Sequence, residues 1–149
     1  KHHHPILGVN GRLDTLQAAI LLAKLEVFEE EIAQRQQVAA EYQTSLADTP
    51  LTLPTIAEGN TSVWAQYTVL SPDRDQLREN LEAAGIPSVS YYAVPLHHQT
   101  VFKGLGYTNA DFPIAEKVAS QSLSLPMSPA VDQAITRKIA SIVLNPLPV

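Results

Sequence analysis

The most restrictive feature of this sequence is the run Leu16 to Ala23, which is apolar almost all round because Gln17 is its only polar residue. Asp14-Thr15-Leu16-Gln17 fits a capping box, with Asp14 accepting from a first-turn amide, so a helix is predicted to begin here. A helix that is apolar on every side must be covered on several sides. We therefore expect this helix to be buried in an interface.

The next residues continue the helical pattern with a narrower apolar stripe. Acidic and polar residues such as Glu29 and Gln34 separate Phe28, Ile32 and Tyr42, a spacing typical of an amphipathic surface helix. The whole run predicts one long, bent helix. We divide the chain into an arm (1–13), the long helix (14–47), a proline-containing linker (48–61) and a C-terminal unit (62–149).

The C-terminal unit reads as strands alternating with helices. Alternation predicts a strand over residues 63–69, and β-rich or apolar runs predict strands over residues 88–92 and 122–125. Caps and apolar spacing predict helices that open at Ser71-Pro72-Asp73, at Asp111-Phe112-Pro113 and at Ser128-Pro129, the first ending at Gly85. The order helix-β-α-β-α-β-α indicates the fold class α/β, in a small layered domain.

Composition excludes several classes of function. The 149 residues are 45% hydrophobic and 17% charged, with a net charge of −5, so no basic surface for a nucleic-acid backbone is expected. The sequence has no apolar run of about 18 residues and no signal-peptide pattern, so we expect a cytoplasmic protein without a membrane partner. Zero cysteines exclude disulfides and thiolate chemistry.

Histidines form the two clusters that resemble metal ligands, His2-His3-His4 and His97-His98. Adjacent histidines are expected to project in different directions, and the first cluster is typical of a tag remnant or an exposed arm. We therefore predict no metal site. The chain also lacks a phosphate-binding glycine loop, a nucleophile elbow and a zinc-protease helix.

Two other segments carry polar groups suited to a ligand. Asn10 and Arg12 flank Gly11 directly before the apolar helix, where they form either a simple Asn-Gly turn or a site for a phosphate or carboxylate. Tyr91 and Tyr92 end the second predicted strand. Their rings either pack in the fold or contact a sugar or ring, since ligands bind at strand ends in α/β units.

Four segments together resemble the DegT-type sugar aminotransferases, over nearly the whole chain. The most specific is an Asn-x-Arg-Leu opening followed by a Gln-Ala-Ala helix. The segments are Gly-Val-Asn-Gly-Arg-Leu-Asp-Thr-Leu-Gln-Ala-Ala-Ile-Leu (8–21), Ser-Val-Trp-Ala-Gln-Tyr-Thr-Val (62–69), Tyr-Ala-Val-Pro-Leu-His-His-Gln (92–99) and Leu-Ser-Leu-Pro-Met-Ser-Pro (123–129).

This resemblance implies the aspartate aminotransferase fold, that of fold-type-I pyridoxal-phosphate enzymes, in a homodimer with a shared active site. The matched part is the long interdomain helix and the small C-terminal α/β domain. The large domain, with the lysine that binds the cofactor covalently, is then expected before Lys1, so the chain is expected to be an inactive fragment. None of its five lysines matches the family's lysine segment: Lys1, Lys24, Lys103, Lys117 and Lys138.

The resemblance also implies residue roles. Asn10 matches the asparagine that reaches the neighbouring subunit's cofactor phosphate, and Arg12 lies close to the sugar. The nearest subgroup acts on UDP-2-acetamido-2-deoxy-3-oxoglucuronate, where the matching arginine pairs with the sugar carboxylate. That subgroup is expected to carry a His-Tyr pair where this chain has Tyr91-Tyr92, so a positive partner for the uronate is lost here. Asn10 is thus the expected cofactor contact, and Arg12, Tyr91 and Tyr92 are the expected substrate contacts.

For the full-length enzyme the resemblance implies that an amino donor, glutamate, aminates the cofactor, which then aminates a keto-sugar nucleotide for surface-polysaccharide synthesis. Two alternatives remain: a stand-alone module that binds a nucleotide sugar without catalysis, and a pure dimerisation element with Leu16 to Leu25 as its seam.

Overall fold

A computed structural model describes residues 13–145 of the chain. The helices are α1 (Thr15–Leu25), α2 (Phe28–Ser45), α3 (Arg74–Ala83), α4 (Pro113–Gln121) and α5 (Gln133–Leu144), and the strands are β1 (Tyr67–Leu70) and β2 (Ser122–Leu125). Three 3-10 turns lie between α3 and α4, at Leu96–His98, Thr100–Leu105 and Asn109–Asp111.

The N-terminal helical run begins as predicted but is broken. Asp14 Oδ1 accepts a hydrogen bond of 2.8 Å from the backbone N–H of Gln17, which confirms the predicted cap. The prediction of one long helix is wrong, because Val27, with φ −115° and ψ 6°, leaves helical geometry and separates α1 from α2. Val27 is β-branched, and a helix restricts the χ1 rotamers of such a side chain. Helical geometry is therefore less favourable for Val27 than for unbranched residues. The break lets α1 and α2 face different surroundings.

The two helices differ sharply in burial. Helix α2 contributes three side chains to the main core, Val38, Ala39 and Tyr42, and Leu46 joins them just after its end. In α1, by contrast, every residue is exposed except the half-buried Ala18. Leu16 is 73% exposed and Leu22 is 67% exposed, so the apolar surface of α1 has no cover among residues 13–145.

The sheet is antiparallel and small. β1 pairs with β2 in a register that places Tyr67 opposite Leu125 and Val69 opposite Leu123, and all four side chains are buried. Single bridges extend the sheet on both sides, from Thr52 to Leu70 and from Val89 to Ser124. β2 confirms the strand predicted over residues 122–125.

The two other predicted strands are shorter than expected. Trp64 has a φ of +49°, so the chain turns there and β1 begins only at Tyr67. Before the strand the burial pattern shifts by one residue, because Trp64 is buried whereas Val63 and Ala65 are exposed. The strand predicted over residues 88–92 is reduced to the bridge at Val89, since the chain turns away at residues 91 and 92.

Helix α3 ends as the sequence predicts. Gly85 has a φ of +75°, in the left-handed region that favours glycine. The N–H of Ile86 donates to the carbonyl of Leu81 at 2.8 Å, and the N–H of Gly85 donates to that of Glu82 at 2.9 Å. This Schellman pair returns Ile86 to the core and directs the next residues along β2.

The last two helices begin near the predicted positions with different caps. Pro113 is the first residue of α4, as predicted. α5 is capped by Asp132, whose side chain accepts from the N–H of Ile135, and the predicted cap at Ser128-Pro129 is wrong by four residues. Ile139 of α5 is fully buried, whereas Ile114 of α4 is 78% exposed. No helix within residues 13–145 is both long and apolar enough to span a membrane.

The core contains a pair of stacked tyrosines that differ in their hydrogen bonding. The rings of Tyr42 and Tyr67 lie 4.7 Å apart between centroids. Tyr42 Oη donates to the carbonyl of Pro126 at 2.8 Å. Tyr67 Oη is buried and has no hydrogen-bond partner among the described residues. One hydroxyl therefore stabilises the fold, and the other is buried at a cost.

This difference predicts opposite effects for two matched substitutions. Tyr42→Phe leaves the Pro126 carbonyl without its donor and is expected to lower the free energy of unfolding by about 1 kcal/mol. Tyr67→Phe removes an unpartnered hydroxyl and is expected to leave the free energy of unfolding unchanged or higher. Urea unfolding of both variants measures this. Equal losses in the two variants would contradict the hydrogen-bond assignment.

The tyrosine pair also predicts a loss of stability in alkali. Burial raises the pKa of Tyr67 to about 12, from the ordinary value of 10.0. Burial, with repulsion from Tyr67, raises the pKa of Tyr42 above its usual range. Because the unfolded chain releases these protons first, the stabilisation is complete below pH 10.0 and is lost as pH rises towards about 12. Unfolding midpoints measured along this range should fall less steeply in Tyr67→Phe.

Candidate functional site

Tyr91 and Tyr92 lie in an exposed turn at the edge of the sheet. Tyr91 is 38% exposed and Tyr92 is 77% exposed, so neither ring packs in the core of the described chain. Packing within residues 13–145 therefore does not account for the two rings, and their role as ligand contacts remains a prediction. Both phenol groups are free to meet a molecule or a surface that lies outside residues 13–145.

The turn is anchored on its N-terminal side. Val89 exchanges two backbone hydrogen bonds with Ser124 of β2, at 3.1 and 2.8 Å. Ser90 Oγ accepts a hydrogen bond of 2.8 Å from Arg74 Nη1. Asp75 Oδ1 lies 2.8 Å from Arg74 Nε and fixes the guanidinium. The residues immediately before Tyr91 are therefore held by both the sheet and the start of α3.

A cleft of about 160 Å³ opens beside Tyr91. Its walls come from three segments of the chain that meet at the sheet: Ala65 and Gln66 before β1, Pro87 to Val89 beside the bridge, and Ser124 to Met127 at the end of β2. The polar side chains of its lining are Gln66, Ser88, Tyr91 and Ser124. It offers backbone and side-chain groups next to an exposed phenol, as expected of one wall of a polar ligand site.

Arg35 of α2 fixes two of these walls. Arg35 Nη1 donates to the carbonyl of Trp64 at 3.0 Å and to the carbonyl of Met127 at 3.2 Å. Trp64 Nε1 also donates a hydrogen bond of 2.9 Å to Oε1 of Gln36. Helix α2 thus positions the segment before β1 relative to the segment after β2.

The other two predicted contact residues, Asn10 and Arg12, lie outside the described residues. The description begins at Leu13, two residues before α1. The roles of Asn10 at the cofactor and of Arg12 at the substrate therefore remain predictions.

The lysines of the described chain are all exposed: Lys24, Lys103, Lys117 and Lys138. Lys138 Nζ donates to the carbonyl of Ala84 at 2.8 Å, on the surface of α5. A lysine that binds a cofactor covalently needs a buried environment that lowers the pKa of its amine. No lysine lies in such an environment within residues 13–145. The expectation that the catalytic lysine lies elsewhere in the full-length protein remains a prediction.

His97 and His98 contradict the expectation that adjacent histidines project in different directions. Both rings turn towards Glu116 of α4, with His97 Nε2 at 2.7 Å and His98 Nε2 at 2.5 Å from the same oxygen, Oε1. The rings follow each other in the 3-10 turn Leu96–His98, with centroids 4.4 Å apart. In a 3-10 turn successive side chains diverge by about 120°, against roughly 180° in an extended strand, so both rings can reach one carboxylate.

Glu116 is affected by both rings. Burial raises the pKa of this carboxyl, but hydrogen bonds from His98 and His97, with attraction to both imidazoles, outweigh burial and hold the pKa below its usual value. Asp111, before α4, also has a lowered pKa because it accepts from the backbone N–H and the side chain of Thr108. Both carboxylates are therefore ionised at neutral pH.

Comparison with known proteins decides the family. The chain matches the DegT/DnrJ/EryC1/StrS aminotransferase family over residues 1–144, almost its whole length. The chain belongs to this family. The resemblance predicted from the four sequence segments is thereby confirmed. Family members are aminotransferases that depend on pyridoxal phosphate.

Individual relatives support the assignment. The chain is 47% identical over 145 residues to the UDP-2-acetamido-2-deoxy-3-oxo-D-glucuronate aminotransferase of Pseudomonas aeruginosa, an alignment that covers 97% of this chain and 40% of that protein. This bears out the predicted subgroup resemblance. The chain thus spans about two fifths of the length of this relative.

Solved structures of the family have the same fold. A DegT DnrJ EryC1 StrS aminotransferase from Brucella abortus matches with a TM-score of 0.79 and 40% identity, over 97% of this chain and 38% of that one. S. venezuelae DesV, solved in complex with a ketimine intermediate, matches with a TM-score of 0.84 and 35% identity, over 96% of this chain and 39% of that one. The predicted fold class, α/β with the small domain of this family, is confirmed, and the predicted long helix is divided into α1 and α2.

Sequence reasoning missed the positioning residues of the site. The sequence assigns no role to Arg35, to Arg74 or to Ser90. No local signal marks these side chains, because their partners lie 16 to 92 residues away in the chain. The only sequence signal concerns Arg74, which lies near the start of a predicted helix and next to the acidic Asp75.

Proposed function

We propose that these residues belong to a transaminase that transfers an amino group from glutamate to a keto-sugar nucleotide such as a UDP-3-keto-uronate, for surface-polysaccharide or antigen synthesis. The observation that carries the proposal is the family match over residues 1–144, together with 47% identity to an aminotransferase of a UDP-linked 3-oxo-uronate. The exposed tyrosine turn and its cleft support a substrate surface in this part of the protein.

The side chains present in these residues indicate which parts of the reaction they can serve and which must come from the cofactor or from the rest of the full-length protein. When bound, pyridoxal phosphate supplies the electron sink of transamination. The exposed lysines of residues 13–145 do not fit its covalent attachment, so that lysine is proposed to come from elsewhere in the full-length protein. The 149 residues alone are proposed to be inactive. Asn10 is proposed to donate its side-chain amide to the cofactor phosphate.

The substrate contacts are proposed to come from two segments. Arg12 presents a planar guanidinium that fits a sugar carboxylate through two parallel hydrogen bonds. Tyr91 and Tyr92 offer phenolic hydroxyls that donate to or accept from sugar oxygens. Arg74 and Ser90 are proposed to set the position of Tyr91 without contacting the sugar, because they anchor the residue before it.

The active site is proposed to be shared between two subunits of a homodimer. Two exposed apolar side chains of α1, Leu16 and Leu22, need a covering surface, and none exists within residues 13–145. The arm that carries Asn10 and Arg12 leads directly into this helix. Burial of α1 at a subunit contact would therefore bring the arm close to the neighbouring subunit.

A test separates the two half-reactions in the full-length protein. Tyr92→Phe removes a hydrogen bond to the sugar and is expected to lower kcat/KM for the keto-sugar nucleotide by about 2- to 10-fold, the value of a neutral hydrogen bond. Amination of the cofactor by glutamate should keep its rate, since the sugar is absent from that step. Single-turnover absorbance of the cofactor measures each step separately.

A matched control removes the same hydroxyl away from the cleft. Tyr107 is 50% exposed and packs edge-on against Phe112, so Tyr107→Phe is expected to leave both half-reactions unchanged. Equal effects of Tyr92→Phe on the two half-reactions would argue against a sugar contact. Absence of any amino transfer by the full-length protein would remove the transaminase proposal itself.

A dimerisation element without catalysis is the second candidate, and the exposed apolar surface of α1 favours it. A nucleotide-sugar-binding module without catalysis is the remaining alternative. Association without amino transfer would support the dimerisation element. Binding of a nucleotide sugar without amino transfer would support the binding module.

A further inference from the structure

Three potential metal ligands meet at the surface between the first 3-10 turn and α4. Nε2 of His97, Nε2 of His98 and a carboxylate oxygen of Glu116 all lie within 4.8 Å of one another. The carboxylate oxygen lies 2.7 Å from the first nitrogen and 2.5 Å from the second. Two imidazoles therefore converge on one carboxylate oxygen, whereas a simple hydrogen-bonded His–Glu pair involves only one imidazole.

The local structure holds the three groups in place. Pro95 precedes the turn that carries both histidines, and its extended backbone, φ −56° and ψ 151°, directs the turn towards α4. Glu116 lies in the first turn of α4, where its N–H donates to the carbonyl of Phe112 at 3.1 Å. The carboxylate therefore sits on a regular helix, and the two rings sit on a short turn that faces it.

His97 is the buried member of the group. Its side chain is only 8% exposed, and its ring lies 4.8 Å from that of Phe112 between centroids. An apolar cavity of about 330 Å³ opens beside it, lined by Leu96, Phe102, Leu105 and Phe112 among others. Apolar surroundings strengthen the attraction between a cation and a carboxylate, because they lower the local dielectric constant.

The donor set and the spacing suit one class of ion. Two imidazole nitrogens and one carboxylate oxygen are the ligands that Zn²⁺ takes when one coordination position stays open. With metal–ligand bonds of 2.0–2.2 Å, tetrahedral ligands lie about 3.3 Å apart. To reach that distance, the oxygen–nitrogen distances of 2.7 and 2.5 Å must lengthen by less than about 1 Å, and the two nitrogens, which lie within 4.8 Å of each other, must shift by no more than about 1.5 Å. His98 and Glu116 can move by this much, because their side chains are 36% and 26% exposed.

We propose that His97, His98 and Glu116 bind one divalent cation of the zinc class, with a fourth position open to water or an external ligand. The ion replaces the protons that the rings now share with the carboxylate. It links the 3-10 turn to α4 and so fixes the segment that follows Tyr91 and Tyr92. This site is independent of the proposed transamination and lies outside the cleft beside Tyr91.

The chain allows an unusually clean test. It has five histidines and no cysteine, so substitution of His2, His3 and His4 by Gln leaves His97 and His98 as the only imidazoles. In this background, calorimetric titration with Zn²⁺ is expected to show one ion bound per chain. X-ray absorption at the zinc edge is expected to show two imidazoles in the coordination shell.

The ligand assignment is tested with matched variants in the same background. Glu116→Gln is expected to weaken Zn²⁺ binding by at least about tenfold, the minimum loss when a group around a metal is removed. Glu79→Gln makes the same charge change on the exposed face of α3 and should leave binding unchanged. His98→Gln should weaken binding as Glu116→Gln does. Unfolding curves without metal establish that each variant is folded.

Two results would overturn the site. One is the absence of Zn²⁺ binding in the background with Gln at positions 2, 3 and 4. The other is binding that Glu116→Gln and Glu79→Gln affect equally, or a zinc coordination shell with fewer than two imidazoles. If Glu116→Gln fails to fold, His98→Gln provides the decision, because His98 is the most exposed of the three ligands.

Discussion

The 149-residue chain is expected to associate at high concentration, and Leu16→Asp with Leu22→Asp is expected to leave it monomeric. Both leucines project from α1 into open space, with exposed fractions of 73% and 67%. Association would bury them, and each introduced carboxylate would then lose its hydration without a partner, at a cost of several kcal/mol. Light scattering or sedimentation velocity over a concentration series measures the change.

The control for this prediction adds the same charge elsewhere. Ala134 is exposed in the first turn of α5, where a negative charge is compatible with the helix dipole. Ala134→Asp should therefore associate as the unchanged chain does. A chain that stays monomeric at high concentration without any substitution would show that the interface assigned to α1 is wrong.

The second large effect is expected at Arg12 in the full-length protein. Arg12→Ala removes the proposed two-fold hydrogen bond to the sugar carboxylate, and a charged hydrogen bond contributes about 1.5–3 kcal/mol. The value of kcat/KM for a UDP-linked 3-keto-uronate is thus expected to fall roughly 10- to 150-fold. The same measurement with a 3-keto sugar nucleotide that lacks the carboxylate should show little change.

Two comparisons make this prediction specific. Arg12→Lys keeps the charge but loses the planar fork, so it should recover only part of the rate. Amination of the cofactor by glutamate should be unaffected in both variants. Equal losses with the charged and the uncharged sugar would place Arg12 away from the carboxylate. The departure at Tyr91-Tyr92, where a histidine was expected, makes Arg12 the main positive partner proposed for the uronate.

Local signals predicted much of the architecture. The cap at Asp14, the stop at Gly85 and the strand over residues 122–125 all occur where expected, because each depends on residues within one or two turns. The last predicted helix is also present, as α5, and its Ile139 is fully buried. The family was also predictable, since four short segments match it closely.

The strand predictions were wrong at positions where residues distant in the chain form hydrogen bonds with the predicted strand. Alternation predicted a strand through Trp64, but Arg35 and Gln36 of α2 bind its carbonyl and its ring nitrogen, and the backbone turns there. The strand predicted to end at Tyr92 stops earlier in the same way, with Ser90 held by Arg74. Hydrogen bonds between separate elements thus replaced the regular pairing that propensity favoured.

By itself the sequence determined the family, the helical start of the chain, the order of its main elements and the absence of cysteine chemistry. Only the tertiary structure decided that α1 lies bare while α2 packs, that Tyr91 and Tyr92 are exposed beside a cleft, and that two neighbouring histidines meet Glu116. The reason is physical: caps, glycine turns and apolar periodicity act over a few residues. A site depends on contacts such as that between His97 and Glu116, 19 residues apart, which exist only after the chain has packed.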